Sequence, residues 1–286
     1  MIRSLLYVPA SSERFVAKAH ERGADAIILD LEDGVAPSEK VKARGNLRDA
    51  VPAVARNGAT VFVRINAGAD AILADAEAAC RAGAFGLLVP KTREPQALVA
   101  LASHLDRIER DCARSQMRLV PMIEDPGAVF DARAISVATP RIFALLTGSE
   151  DLATAMGAEA TPDVLRLPKL LVHMAAKAAG VLSFGLMRSV ADFSDREGIV
   201  RACREACDFG FDGASCIHPS VVPILNAAFA PSLEKIEEAR RMVAEFETAK
   251  AQGKGAFVFN GKMVDEPIVA RARALLATQR MRPHGE

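Results

Sequence analysis

The 286-residue chain is half hydrophobic and one quarter charged, and its 36 basic residues balance 36 acidic ones. A sequence of that hydrophobicity buries a large core, which excludes disorder as its main state. Zero formal charge gives no global pull toward nucleic acid or anionic lipid, and no tryptophan with a single tyrosine, Tyr7, weighs against a stacking platform for single-stranded nucleic acid.

In chain order, short apolar runs alternate with Ala-rich helical stretches. The first strand is expected at Leu5–Val8, before a helix over Ser12–Glu21. A second strand, Ala26–Leu29, precedes a helix that opens at Pro37 and runs toward Ala55. The third and fourth strands are Thr60–Val63 and Phe85–Val89, with helices over Asp75–Arg81 and Pro95–Arg110. The fifth and sixth are Leu119–Ile123 and Ile142–Leu146, and a helix over Pro162–Ala179 follows. The seventh, Val181–Phe184, leads to a helix over Asp195–Cys207, and the eighth and weakest strand is Gly213–Ile217. Near-continuous apolar strands suit a parallel sheet covered on both faces. Strand then helix, repeated over residues 1–230, argues an α/β fold of the (β/α)8 TIM-barrel class. A doubly wound sheet ranks second, because the turn after the first strand, Pro9-Ala10-Ser11-Ser12, lacks the glycines of a dinucleotide loop.

Residues 231–286 exceed what the barrel needs and read as a C-terminal helical extension and lid. A charged helix spans Pro231–Lys250, an apolar segment Ala256–Phe259 meets the tight turn Asn260-Gly261, and Pro267–Arg280 is a last helix. Met281–Glu286 reads as a frayed tail.

In such a barrel the reactive groups come from the C-terminal ends of the strands. Those ends carry Asp30-Leu31-Glu32-Asp33-Gly34, Arg64-Ile65-Asn66, Pro90-Lys91, Glu124-Asp125, Ser149-Glu150-Asp151 and His218. Hard divalent cations take carboxylate oxygens and keep several waters. Glu124 and Asp151 suit Mg2+, with Glu32 and Asp33 holding its waters and Asp30 either joining them or pairing with a basic barrel residue. Asp125 and Glu150 read as solvated or helix-capping carboxylates. Arg64 has the planar fork for a carboxylate or enolate oxygen; its other reading is a buried salt bridge with Asp30 or Glu32. Lys91 offers a metal-free Schiff-base route, but that leaves the carboxylates without a purpose. His218 reads as a hydrogen-bonded structural residue, and His20, His104, His173 and His284 form no constellation.

No apolar run approaches the roughly 20 residues that span a bilayer, and the N-terminal segment is too short for a signal peptide. The five cysteines are odd in number and include no CxxC pair. Cys203 and Cys207 lie one helical turn apart, but with no histidine at a matching spacing they read as buried or lightly exposed thiols rather than half a zinc site. A cytoplasmic protein without membrane partners is the expectation.

The chain carries the motifs Arg3–Pro9, Ile28–Pro37 with Lys40 and Arg44, Val63–Asn66, Val89–Lys91, Met122–Glu124, Gly148–Leu152, Gly210–Gly213, Ile217–Pro219 and Gly261–Pro267. Taken together, in this order, they resemble the HpcH/HpaI aldolase superfamily, in its citrate lyase beta-subunit-like branch with the malyl-CoA and citramalyl-CoA lyases. The resemblance implies a TIM barrel, a homotrimer or dimer of trimers, Mg2+ with Mn2+ as a substitute, and coenzyme A carried by the substrate. It implies Glu124 and Asp151 as metal ligands and Arg64 as the group that binds the 2-oxo acid and polarises its carbonyl. Asp265 is implied as an acid–base carboxylate inserted by a neighbouring subunit, and Arg14 and Lys18 as contacts to the CoA phosphates. The implied reaction is retro-Claisen cleavage of citramalyl-CoA or malyl-CoA to acetyl-CoA and a 2-oxo acid. Alternatives are citryl-CoA lyase activity, malate-synthase-like condensation or thioester hydrolysis, a 2-oxo-acid aldolase without CoA, and an inactive binding barrel. The chain departs from the family pattern at Ala10 in the first loop, at Phe184 after strand seven, and at Pro168 in Arg166-Leu167-Pro168-Lys169.

Overall fold

A computed structural model describes residues 1–280; the tail at 281–286, with His284, lies outside the described residues. The chain forms two compact units, one over Ile2–Phe229 and one comprising Met1 and the chain from Ala230 onward.

Eight parallel strands build the first unit: β1 Ser4–Pro9, β2 Ala26–Asp30, β3 Thr60–Arg64, β4 Gly86–Val89, β5 Arg118–Ile123, β6 Ala144–Thr147, β7 Leu182–Phe184 and β8 Ala214–Cys216. Neighbours pair in sequence order, β8 returns to pair with β1, and a parallel bridge between Phe184 and Gly213 closes the ring between β7 and β8. The unit is therefore a (β/α)8 TIM barrel. Its helices are α1 Glu13–Ala19, α2 Lys40–Val54, α3 Ala69–Ala82, α4 Pro95–Cys112, α5 Pro126–Ser136, α6 Ser149–Ala155, α7 Pro162–Ala178, α8 Arg196–Phe209 and α9 Val222–Ala228. α3 begins before the expected Asp75, and α5, α6 and α9 carry no marked periodic signal in the sequence. Gly83 and Gly210 end α3 and α8 with positive φ, a conformation they adopt without the Cβ clash that other residues would meet.

Alternation along the strands divides the core in two. Leu5, Ile28, Phe62, Val120, Met122 and Leu146 fill the barrel interior. The intervening residues, such as Ile27, Leu29, Val61 and Val63, pack under the helices. Because strand side chains repeat every second residue, each interior series continues upward to the rim: Ile28 to Asp30, Phe62 to Arg64, Met122 to Glu124, and Leu146 to Gly148.

The second unit contains α10 Leu233–Ala251, a hairpin of β9 Ala256–Phe259 and β10 Lys262–Asp265, and α11 Glu266–Arg280. Asn260 and Gly261 turn the hairpin with φ of 47° and 75°, as a two-residue turn of this twist requires. Phe246, Phe259, Val264 and Val269 form its core.

Candidate active site

The interior series end in a cavity of about 400 Å3 lined by Tyr7, Asp30, Arg64, Glu124, Asp151 and Lys169, among others. Its lining holds five carboxylates, Asp30, Asp33, Glu124, Glu150 and Asp151, against two cations, Arg64 and Lys169.

One side of the cavity is charge-matched. Arg64 Nε and Nη2 donate to the two oxygens of Asp30 at 2.6 and 2.7 Å, and Nη1 donates to Asp33 at 3.0 Å. Asp30 also accepts the backbone N–H groups of Glu32 and Gly34. Gly34 must lack a side chain, since a Cβ there would stand 2.5 Å from Asp30 Oδ2. Glu32, 3% exposed, lies 3.1 Å from both Arg64 Nη1 and Lys91 Nζ, as ion pairs without aligned hydrogen bonds. Burial pushes the Glu32 carboxyl up, against the pull of the two cations. Burial would lower the Arg64 pKa, yet the bonds and charge of Asp30 hold it above the usual guanidinium range. The Arg64 guanidinium lies 5.1 Å from the Tyr7 ring, whose phenol burial pushes up. Arg64 thus makes the salt bridge that was its second reading, and it meets the cavity as a fixed charge rather than a free clamp.

The other side is unmatched. Glu124 is 5% exposed and forms no ion pair among the described residues. Its Oε2 accepts the Lys91 backbone N–H at 2.6 Å, and Lys91 adopts a left-handed φ of 51° to present that group. Its Oε1 occupies the space left by Gly148, where a Cβ would collide with the carboxylate. Burial, then the charges of Asp151 and Glu32, push Glu124 up to about 7, against the pull of the Lys91 N–H and Arg64. Asp151, in the first turn of α6, lines the same cavity. Among the described residues no three His, Cys, Asp or Glu side chains assemble into a metal cluster. The protein offers a pair, Glu124 and Asp151, and a hard cation there would take its other oxygens from water or substrate. A buried carboxylate fitted into a glycine cradle, facing a second carboxylate and an excess of acid, fits such a cation.

The remaining sequence candidates fall elsewhere. Arg14 and Lys18 are exposed on α1 and do not line the cavity. Asp265 ends β10 in the C-terminal unit and is half-buried. The Lys91 ammonium is raised by its Glu32 partner, which disfavours the neutral amine a Schiff base needs. His218 Nδ1 accepts the Ser220 backbone N–H and its ring stacks on Phe193 at 4.5 Å. Burial pushes the Cys203 thiol up to about 12, which makes a poor nucleophile or ligand.

Two cavity residues have no functional role in the sequence reading, which takes Glu150 for a solvated or helix-capping carboxylate and gives Lys169 none. Glu150 lines the site and accepts the Ser189 hydroxyl. Lys169 is 3% exposed, and burial pulls its ammonium down to about 7 against the charge of Glu150. The available signal for Lys169 was its place in the apolar stripe of α7.

Comparison with known proteins finds relatives of this chain. Residues 3–219 match the family model described as HpcH/HpaI aldolase/citrate lyase. The (3S)-malyl-CoA thioesterase of Cereibacter sphaeroides is 37% identical over 279 residues, covering 96% of this chain and 93% of that protein. Citrate lyase subunit beta of Escherichia coli is 32% identical over 280 residues, covering 96% and 92%. The crystal structure of CitE from Mycobacterium tuberculosis with magnesium, acetoacetate and coenzyme A superposes with a TM-score of 0.77 at 32% identity, covering 96% of each chain. The chain belongs to the HpcH/HpaI aldolase/citrate lyase family and is an enzyme of that family of lyases.

Proposed function

From that membership we infer that the protein is a Mg2+-dependent carbon–carbon lyase. It cleaves a 3-hydroxy-3-carboxyacyl-CoA, of malyl-CoA or citramalyl-CoA type, to acetyl-CoA and a 2-oxo acid. The observation that carries this reading is Glu124: a buried carboxylate without an ion pair among the described residues, seated in the Gly148 cradle beside Asp151. The relative from M. tuberculosis, crystallised with magnesium and coenzyme A, supports the cofactor and the substrate class.

Glu124 and Asp151 are assigned to Mg2+, for which Mn2+ substitutes, and Glu32 and Asp33 to its waters. When bound, the ion supplies Lewis acidity toward the hydroxyl and carboxylate oxygens of the substrate. Asp30 holds Arg64 rigid, so its charge stands ready for the oxygen on which negative charge develops, with no reorganisation at the moment of reaction. The hydroxyl gives up its proton and becomes the carbonyl of the 2-oxo acid. The carbon–carbon bond breaks with its electron pair passing to the thioester fragment, and that enolate takes a proton to become acetyl-CoA. The acid–base carboxylate of Asp265, from a neighbouring subunit in a homotrimer or dimer of trimers, is assigned both transfers, accepting the hydroxyl proton and returning it to the enolate carbon. Arg14 and Lys18 are assigned to the CoA phosphates, and the enzyme to the cytoplasm. Among the described residues no helix is long and apolar enough to cross a membrane.

The thioesterase name of the 37% identical relative favours a second reading, hydrolysis of malyl-CoA at the same site. One assay separates the two. Incubation with Mg2+ and a panel of acyl-CoAs is expected to release acetyl-CoA with glyoxylate or pyruvate. Free malate and CoA would assign the hydrolase instead, and no turnover of any thioester despite Mg2+ binding would remove both.

A further inference from the structure

Lys169 lines the cavity, and the reaction above leaves it unused. It sits in the buried stripe of α7, where Leu165, Lys169, Val172 and Ala176 follow one another at helical spacing. An ammonium in such a stripe is costly unless its donors are met. Lys169 Nζ donates to the Leu186 carbonyl at 2.6 Å and to the Arg188 carbonyl at 2.9 Å. The first distance is that of a charge-assisted bond. Among the described residues no carboxylate lies within ion-pair distance of Nζ, so these carbonyls are its partners, in contrast to the acid-matched Arg64 and Lys91.

Both carbonyls belong to the segment 185–195, which joins β7 to α8 without regular structure. Such a segment has no ladder of its own to hold it in place. Leu186 and Val190, at its start, line the cavity. Between them Ser189 donates to Glu150, the neighbour of Asp151. The segment is thus tied at Leu186, Arg188 and Ser189 by two residues of the cavity lining.

We propose that Lys169 is a positioning residue for acyl recognition: it pins the Leu186 and Arg188 carbonyls and so fixes the apolar wall, Leu186 and Val190, against which the acyl group packs. The acyl part of this proposal rests on the CoA-ester reading; the pinning does not.

Two variants test it, Lys169→Met without donors and Lys169→Gln with two N–H donors and no charge. In Lys169→Met, amide exchange across 185–191, where the Gly185 and Ala191 N–H groups donate to the Gly213 carbonyl and the Ser189 hydroxyl, is expected to quicken about tenfold or more while the barrel strands keep wild-type rates. With an acyl-CoA that the wild type turns over, KM is expected to rise about tenfold, with kcat and Mg2+ affinity within about threefold of wild type. Lys169→Gln is expected between wild type and Met in both readouts. Wild-type exchange across 185–191 in Lys169→Met overturns the pinning, and a fall in kcat at unchanged KM overturns the positioning role. Should Lys169→Met not fold, Lys169→Gln decides on the same terms. If the wild type turns over no thioester, the function reading fails and the exchange measurement still judges Lys169.

Discussion

Two buried glutamates of the same barrel are treated in opposite ways. Glu109, 7% exposed on α4, meets the Arg141 guanidinium with both oxygens at 2.7 Å and also accepts the Met117 backbone N–H. Arg141 also bonds Asp106 and the Met117 carbonyl, so the cluster is closed. It joins residues that precede β5 and β6. Glu124, equally buried, follows β5 and meets one backbone N–H and other carboxylates. The N-terminal face of the barrel spends its buried charge on holding the fold, and the C-terminal face leaves one carboxylate open to a ligand.

Four experiments sharpen that contrast or break it. The largest effect is expected below. Arg141→Met strands Glu109 as a buried uncompensated charge and should cost about 3–5 kcal/mol of folding stability, read by urea denaturation. A loss under about 1 kcal/mol would mean the cluster is solvated and the contrast false. Above, Glu124→Gln should lower Mg2+-dependent turnover about 10²–10³-fold while leaving folding stability unchanged or raised, since an amide needs no counter-charge. A destabilised Glu124→Gln would make Glu124 structural, like Glu109. Next, Gly148→Ala should weaken Mg2+ binding about 10–100-fold by calorimetry, because its methyl takes the space of the Glu124 carboxylate.

The smallest effect is a pH dependence. Glu124 holds its proton up to about 7 in the fold, whereas an unfolded chain releases it in the ordinary carboxylate range. The folded state therefore binds the extra proton between those limits, and stability falls as pH rises through that window. Mg2+ competes with the same proton. The rise in Tm on adding Mg2+ should be larger at pH 8 than at pH 6 and absent in Glu124→Gln. An equal rise at both values would place the ion elsewhere.

Much of this was legible in the sequence. Eight apolar runs gave the barrel, and their C-terminal ends marked Asp30, Arg64 and Glu124 for one rim. The helices α5 and α6 were not legible, because each begins within the polar residues that end a strand. Nor was the commitment of Arg64 to Asp30 decided in advance. A fork of five donors accepts substrate or protein carboxylate equally well, and only the spacing of β2 and β3 chooses. Glu150 looked like any first-turn acid until Ser189 was brought to it by a segment without periodic signal. Lys169 was hidden because a lysine on an amphipathic helix is ordinarily solvated; its register within the buried stripe was the only mark.

The closure of the ring has a consequence for synthesis. Ser4 pairs with Ala214 and Leu6 with Cys216, so the first strand to leave the ribosome takes its last partner from the final strand of the barrel. Until then the β1 edge of the nascent barrel carries unpaired backbone groups beside apolar side chains. The seam that ends this wait is its narrowest part, three-residue β7 against three-residue β8 across the bridge from Phe184 to Gly213. A truncation just before β8 would therefore leave two open sheet edges, and such a fragment should need a chaperone where the finished barrel does not.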